Sequence, residues 1–183
     1  TSIAPINDRM AAGRKAQYER FKVALDFRTL GEYFARLERT RPALNVGSFV
    51  GTGGIRAHVI GDVQRAATPE ELTQMRQLVA QAMEQGALGL STSLQYVPDR
   101  FASTEEIVEL ARVAAQYGGV YLTHQRSESN QIMGSLDEAF AVAEQAGIPT
   151  EVWHLKTAYK ANWGRMGDVL RRFDEARARG LDV

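Results

Sequence analysis

Short apolar runs alternate with helix-patterned stretches along most of this chain, and that alternation limits the folds open to it. The runs begin near residues 44, 87, 120, 150 and 181, so the later ones recur about every 30 residues. ALNVGSFVG (43–51), ALGLSTS (87–93), VYLTHQ (120–125) and TEVWHLK (150–156) read as strands. They are near-continuously apolar, as in strands of a parallel sheet covered on both faces. The stretches between them carry helix punctuation. In 68–86, Thr68 is an N-cap, Pro69 opens the first turn, Glu71 completes a capping box and Gly86 stops the helix. Residues 103–119 repeat this with a Ser or Thr cap, acids in the first turn and a Gly-Gly stop. Residues 135–147 and 164–180 read as two further helices, and 13–40 show helical spacing through Tyr18, Phe21, Val23, Leu30, Tyr33, Phe34 and Leu37.

Repeated strand–helix units imply a parallel sheet packed against helices. The even period favours a (β/α)8 TIM barrel, which needs roughly 250 residues for eight units. About five units are too few to close one. The expected fold is therefore α/β, a partial (β/α)8 TIM barrel, with residues 1–183 as a single incomplete segment from the centre of a longer domain. The ends agree: TSIAPIND opens as a loop, and RGLDV stops where a strand begins. The rival is an open doubly wound sheet with a glycine-rich phosphate turn. GTGGIR (51–56) follows a strand, but Arg56 stands where the third glycine of that fingerprint belongs.

Composition removes several function classes. The 183 residues are 44% hydrophobic and 24% charged, and 22 Lys and Arg balance 22 Asp and Glu. No basic excess points to nucleic acid. The apolar runs are strand-sized, short of the ~20 residues of a membrane helix. No secretory leader is visible. With no cysteine, disulfides and thiolate metal sites are excluded within this piece, which suits a cytoplasmic protein.

Barrel enzymes keep their chemistry at the C-terminal ends of the strands. His124 ends one strand and His154 ends the next, one strand–helix unit later. Adjacent strands run ~4.8 Å apart, so two histidines at matching heights can share one ion at ~2.0–2.1 Å per bond. Each has a cation two residues on, Arg126 and Lys156, on the same face while the extended form lasts. A lone strand-end histidine is more often a hydrogen-bonded structural residue; two at equivalent ends are harder to explain so. His58, in a short helix or loop, lacks that context. Ser91, Thr92, Ser93, Tyr96, Ser127 and Glu128 gather at the same rim, where turn chemistry or capping is the simplest account of each. Asn162 reads as an N-cap and Trp163 as packing.

At YLTHQRSE and VWHLKTAYKANWGR the chain resembles the N-acyl-D-amino-acid deacylases (D-aminoacylases) of the amidohydrolase superfamily. The shared motifs are Thr123-His124-Gln125-Arg126 and His154-Leu155-Lys156. GALGLSTSLQYVP (86–98), FASTEEIVELARVAAQYGG (101–119) and NVGSFVGTGGIR (45–56) are similar to that family in the same order, and SIAPIN to the segment after its early bridging-ligand motif. The resemblance implies a (β/α)8 barrel of the metal-dependent hydrolase type, with a small β-sandwich domain, and makes this chain the central part of the catalytic domain. It implies zinc, one or two ions, with His124 and His154 as ligands on the fifth and sixth strands. It also implies that Lys156 binds the substrate carboxylate; Arg126, within the first motif, is a weaker substrate-binding candidate, and Tyr96 is a further one from its place at the rim. The family's first-strand His-x-His pair, its bridging Cys or Glu and its general-base aspartate on the last strand fall outside this chain. Two departures stand out. Thr52 lies where members often carry histidine, and Trp153 precedes the zinc histidine where Ser is common. By strand alternation Trp153 is expected to pack behind the site.

The function so implied is zinc-dependent hydrolysis of the amide of N-acyl-D-amino acids, with a metal-activated water attacking the acyl carbonyl. The partner is a small-molecule substrate, with no nucleic acid and no membrane; homo-oligomers are compatible. The isolated 183-residue piece is expected to be inactive, since about half the ligand set is missing. Two alternatives remain: a non-catalytic barrel fragment serving as an interaction module through unpaired strand edges, and another amidohydrolase of hydantoinase or dihydroorotase type, against which Lys156 argues.

Overall fold

The computed structural model describes residues 3–183. The loop-like opening begins at Thr1 and Ser2, which lie outside the described residues. Two helices come first, α1 (Asp8–Arg20) and α2 (Leu30–Thr40), followed by the short strand β1 (Val50–Gly51) and α3 (Thr52–Val59). Then strand and helix alternate: α4 (Pro69–Glu84), β2 (Gly89–Ser93), a 3-10 turn (Asp99–Phe101), α5 (Thr104–Gln116), β3 (Val120–His124), α6 (Ile132–Ala146) and β4 (Thr150–Val152). A second 3-10 segment (Lys160–Arg165) leads into α7 (Met166–Ala178).

The four strands are parallel and stand in sequence order, β1-β2-β3-β4. An order that never reverses has no topological switch point, so the doubly wound alternative falls. Right-handed crossovers then place α4, α5 and α6 on one face of the sheet, the arrangement of a barrel wall. The main core lies between them: Val50, Leu90 and Tyr121 from the strands meet Met75 and Val79 of α4 and Ile107, Leu110 and Ala111 of α5. A second cluster joins Ile132, Leu136 and Phe140 of α6 to Val169 and Phe173 of α7.

Local chemistry sets the boundaries. Thr68 and Glu71 form the expected capping box on α4, and Pro69 sits in its first turn. Ser103 caps α5 by accepting from the Glu106 backbone N–H. The expected helix over 13–40 is two helices. The chain turns through Lys22 at φ +52, and Thr29 with Glu32 starts α2 by a capping box of its own. The first strand is shorter than 43–51 because β2, its only neighbour, begins at Gly89; the Leu88 N–H reaches only Ser48, at 2.9 Å. The expected fifth strand is not formed over 181–183. A bond from the Thr150 N–H to the Asp182 carbonyl, 2.8 Å, marks where its pairing would begin.

Arg56, the residue that broke the glycine fingerprint, is fully buried. One guanidinium nitrogen spans both Glu106 oxygens at 2.8 and 2.6 Å, and the other donates to the Arg65 carbonyl at 2.7 Å. It ties α3 to α5, so GTGGIR is a packing element and not a phosphate turn.

Gly89 opens β2 at φ +152, where a Cβ would lie 1.9 Å from the Val120 carbonyl oxygen. A Gly89→Ala change should lower the unfolding free energy by about 3 kcal/mol or more, since strain and clash add. Gly134, in α6 with open space around it, is the contrast: Gly134→Ala should raise stability by about 0.5–1 kcal/mol. Denaturant titration of the two variants checks both signs.

Candidate metal centre

His124 is the last residue of β3, opposite Ser93 of β2. Side chains alternate along a strand, and Tyr121 packs into the core under the helices. His124 therefore projects from the other face, the inner side of a barrel wall. β4 ends at Val152. The Trp153 N–H still pairs with the Thr123 carbonyl at 2.9 Å, and then His154 adopts φ +41. That left-handed turn, costly for a residue with a Cβ, swings the imidazole back toward β3.

The two rings face each other. His124 Nδ1 lies 2.7 Å from His154 Nε2, with ring centroids 4.6 Å apart at 70°. His124 Nε2 is buried and has no hydrogen-bond partner among the described residues. Burial, foremost, holds the His124 pKa below its ordinary value, helped by the nearby His154 and Lys156 charges and opposed by Glu128. A neutral imidazole presents a lone pair, the form that binds metal.

On the other edge of the His154 ring, Nδ1 is 2.8 Å from Glu128 Oε1 and 2.8 Å from Lys156 Nζ. Lys156 also donates to Glu128 Oε1 and to the His154 carbonyl at 3.2 Å. His124, Glu128 and His154 each offer one ligand atom within 4.8 Å of the others. Glu128, placed at the rim by the sequence and there explained as turn chemistry or capping, is part of the centre. It sits in a polar Ser-Glu-Ser loop, and only its contact with Lys156, far along the chain, reveals it.

Tyr96 is exposed, its ring 5.4 Å from that of His124. With Gly53, Ser93, Asp99 and Arg14 it lines a cavity of about 430 Å³. Asp99 closes the back of that cavity, accepting from the Thr52 hydroxyl and from the Ser93 N–H at 2.5 Å. Its burial raises the carboxyl pKa. Thr52, the departure noted above, thus serves as a donor to a buried carboxylate.

Other residues fall away from the centre. Arg126 is committed elsewhere: it clasps both oxygens of Glu138 at 2.9 and 2.8 Å and donates to the Arg100 and Ala102 carbonyls at 2.9 and 3.0 Å. The expected face-sharing at i and i+2 ends with the strand, which is why Arg126 and Lys156 diverge. Trp153 does not pack behind the site. It is 54% exposed, and its ring stacks near that of His154, 6.4 Å away at 25°, because alternation stops at Val152. Asn162 does not cap α7, whose N-cap is Arg165. It is buried in the 3-10 segment, and its amide nitrogen donates to Asn130 Oδ1 and the Ala158 carbonyl at 3.0 and 2.9 Å, joining the loops after β3 and β4. Trp163 is exposed. His58 stands apart in α3, where its carbonyl accepts from Asn7.

Sequential parallel strands with a histidine pair at their C-terminal ends define a wall of a metal-dependent-hydrolase TIM barrel, and solved structures match it. In sequence and backbone the chain is similar to the D-aminoacylase subset of the amidohydrolases. It is 37% identical over 176 residues to a D-aminoacylase of Alcaligenes xylosoxydans xylosoxydans, covering 96% of this chain and 34% of that protein. It is 37% identical over 157 residues to an N-acyl-D-glutamate deacylase of the same organism, covering 86% and 32%. A solved D-aminoacylase superposes with a TM-score of 0.80 at 37% identity, over 83% of this chain and 32% of that one. An N-acyl-D-glutamate deacylase from Bordetella bronchiseptica, complexed with zinc and a phosphonate inhibitor, gives 0.83 at 36% identity, over 86% and 33%. No family model matches. The chain spans about a third of the length of the curated relatives it matches. No helix among the described residues is long and apolar enough to cross a membrane.

If the facing imidazoles are ligands, His154→Ala should weaken zinc binding by more than the roughly 10–100-fold that loss of an outer partner costs. Competition titration with a chromogenic chelator reads the affinity. An unchanged affinity would remove His154 from the ligand set.

Proposed function

We propose that this chain supplies two metal ligands and a substrate-binding cation to a zinc-dependent deacylase that hydrolyses the amide of N-acyl-D-amino acids. The observation that carries the reading is the His124–His154 pair, with facing nitrogens 2.7 Å apart and the Lys156 ammonium beside it. The residues fit the ion: two ring nitrogens already converge in a hydrogen bond, and a modest opening of the gap, with loss of the proton between them, gives each a ~2.0–2.1 Å bond. One or two ions are compatible, and one solved D-aminoacylase is described as having a binuclear metal centre. Zinc held there would polarise the acyl carbonyl and lower the pKa of a water to ~7.

The chain's own residues do the rest of what can be assigned to it. Lys156 is a compact point charge suited to a carboxylate. Its three donors face Glu128, His154 Nδ1 and the His154 carbonyl, so an arriving substrate carboxylate takes over one of them. Tyr96 forms a wall between His124 and the adjoining cavity, which offers room for a substrate side chain or acyl group. The committed hydrogen bonds of Arg126 suit it to bracing the loop after β3 rather than to binding substrate. The general base is not assigned to a residue of this chain. The lack of cysteine is what supports a cytoplasmic setting.

The test is activity of the full-length protein against N-acyl-D-amino acids, dipeptides and cyclic amides. Turnover of the first class is expected; turnover of cyclic amides alone would favour a hydantoinase-type enzyme instead. Lys156→Met should lower kcat/KM for the carboxylate-bearing substrates on the order of 100-fold. It should leave the corresponding N-acyl-D-amino acid amides nearly unaffected.

A further inference from the structure

Glu128 meets the His154 ring on the edge opposite the one that faces His124. His154 Nε2 points at His124, whereas Glu128 Oε1 lies 2.8 Å from Nδ1, on the other edge of the same ring. A Glu128 oxygen lies within 4.8 Å of the histidine ligand atoms, yet the nitrogen it contacts is Nδ1, the one turned away from His124. Glu128 is nine-tenths buried, and its backbone carbonyl is pinned by the Ala158 N–H at 2.6 Å, so its place relative to the loop after β4 is fixed.

Two groups compete for His154 Nδ1, and they demand opposite things. A carboxylate only accepts, so Glu128 requires Nδ1 to carry the proton, which leaves the Nε2 lone pair free toward His124. An ammonium only donates, so Lys156 requires Nδ1 to be bare, which puts the proton on Nε2 and blocks that nitrogen. The short Lys156–Glu128 contact draws the ammonium toward the carboxylate.

We infer that Glu128 is a positioning residue: it holds the proton of His154 on Nδ1, frees Nε2 for metal, and restrains Lys156 from reversing that choice. The inference rests on the metal reading above and adds the device that selects the binding-competent tautomer. Outer partners of this kind commonly fix the ring orientation and tautomer of metal-binding histidines.

The experiment uses the full-length protein, metal-free and then titrated with zinc and with cobalt(II), in wild type, Glu128→Gln, Glu128→Ala and Glu128→Ala/Lys156→Met. Nitrogen-15 NMR of the His154 ring, assigned by its loss in His154→Ala, reads the tautomer without metal. Expected are a His154 signal protonated at Nδ1 in wild type, a shift toward Nε2 protonation in Glu128→Ala, and a zinc affinity lower by roughly 10–100-fold. Affinity should partly recover in the double variant, because the competing donor is gone. Gln retains an acceptor oxygen, so Glu128→Gln should lose less than Glu128→Ala. The cobalt(II) absorption spectrum should keep its band positions throughout. Unchanged tautomer and affinity in Glu128→Ala would overturn the inference while leaving the metal reading intact. A cobalt spectrum altered by Glu128→Gln would overturn it by making the carboxylate a ligand. Failure of the wild type to bind either metal would defeat the metal reading and the inference with it.

Discussion

The site depends on one contact, the approach of two imidazoles from neighbouring strand ends. Parallel pairing sets it up. β2 and β3 run in register from Gly89–Val120 to Ser93–His124, and β3 pairs β4 from Tyr121–Thr150 to Thr123–Val152. That register brings the ends of β3 and β4 to the same edge of the sheet. The last step is made by the turn at His154, whose positive φ aims the ring at His124 instead of away from it. A strained backbone at the point where chemistry is expected is held in place by its surroundings. Here those are the Trp153–Thr123 pairing before it and the Asn162–Asn130 bridge after it.

The same edge collects groups that would be costly elsewhere. Two imidazoles, a largely buried carboxylate and an ammonium meet within a few ångströms. Their mutual hydrogen bonds compensate one another, and Lys156 sets a positive charge beside Glu128. The price of this arrangement is a choice of tautomer at His154, which only the carboxylate settles in favour of metal. Behind it the sheet is secured by apolar packing and by the buried Arg56–Glu106 pair, so site and core are chemically separate halves of the same sheet.

Much of the fold is legible in the sequence because it is written in local rules. The capping box at Thr68, the Ser103 cap and the glycines after α4 and α5 fix helix ends through contacts three or four residues apart. The histidine pair is legible for the same reason, since strand ends at a regular spacing must come together in a parallel sheet. What was illegible depends on partners distant in the chain or on a break in periodicity. The first strand shortened because β2 begins too late to pair it. Trp153 left its expected face because alternation ceases with the strand. Arg126 turned to Glu138, and Asn162 to Asn130, contacts that no local pattern announces. Glu128 was hidden by its company: a glutamate among serines reads as a turn until Lys156 and His154 are seen to close on it.

The central claim is that one ion is shared by His124 and His154, and a zinc-edge anomalous diffraction map of the full-length protein grown with zinc tests it most directly. The account predicts an anomalous peak between the rings, ~2.0–2.1 Å from His124 Nδ1 and from His154 Nε2. A zinc-loaded crystal with its peaks elsewhere, and the two imidazoles turned apart, would contradict it.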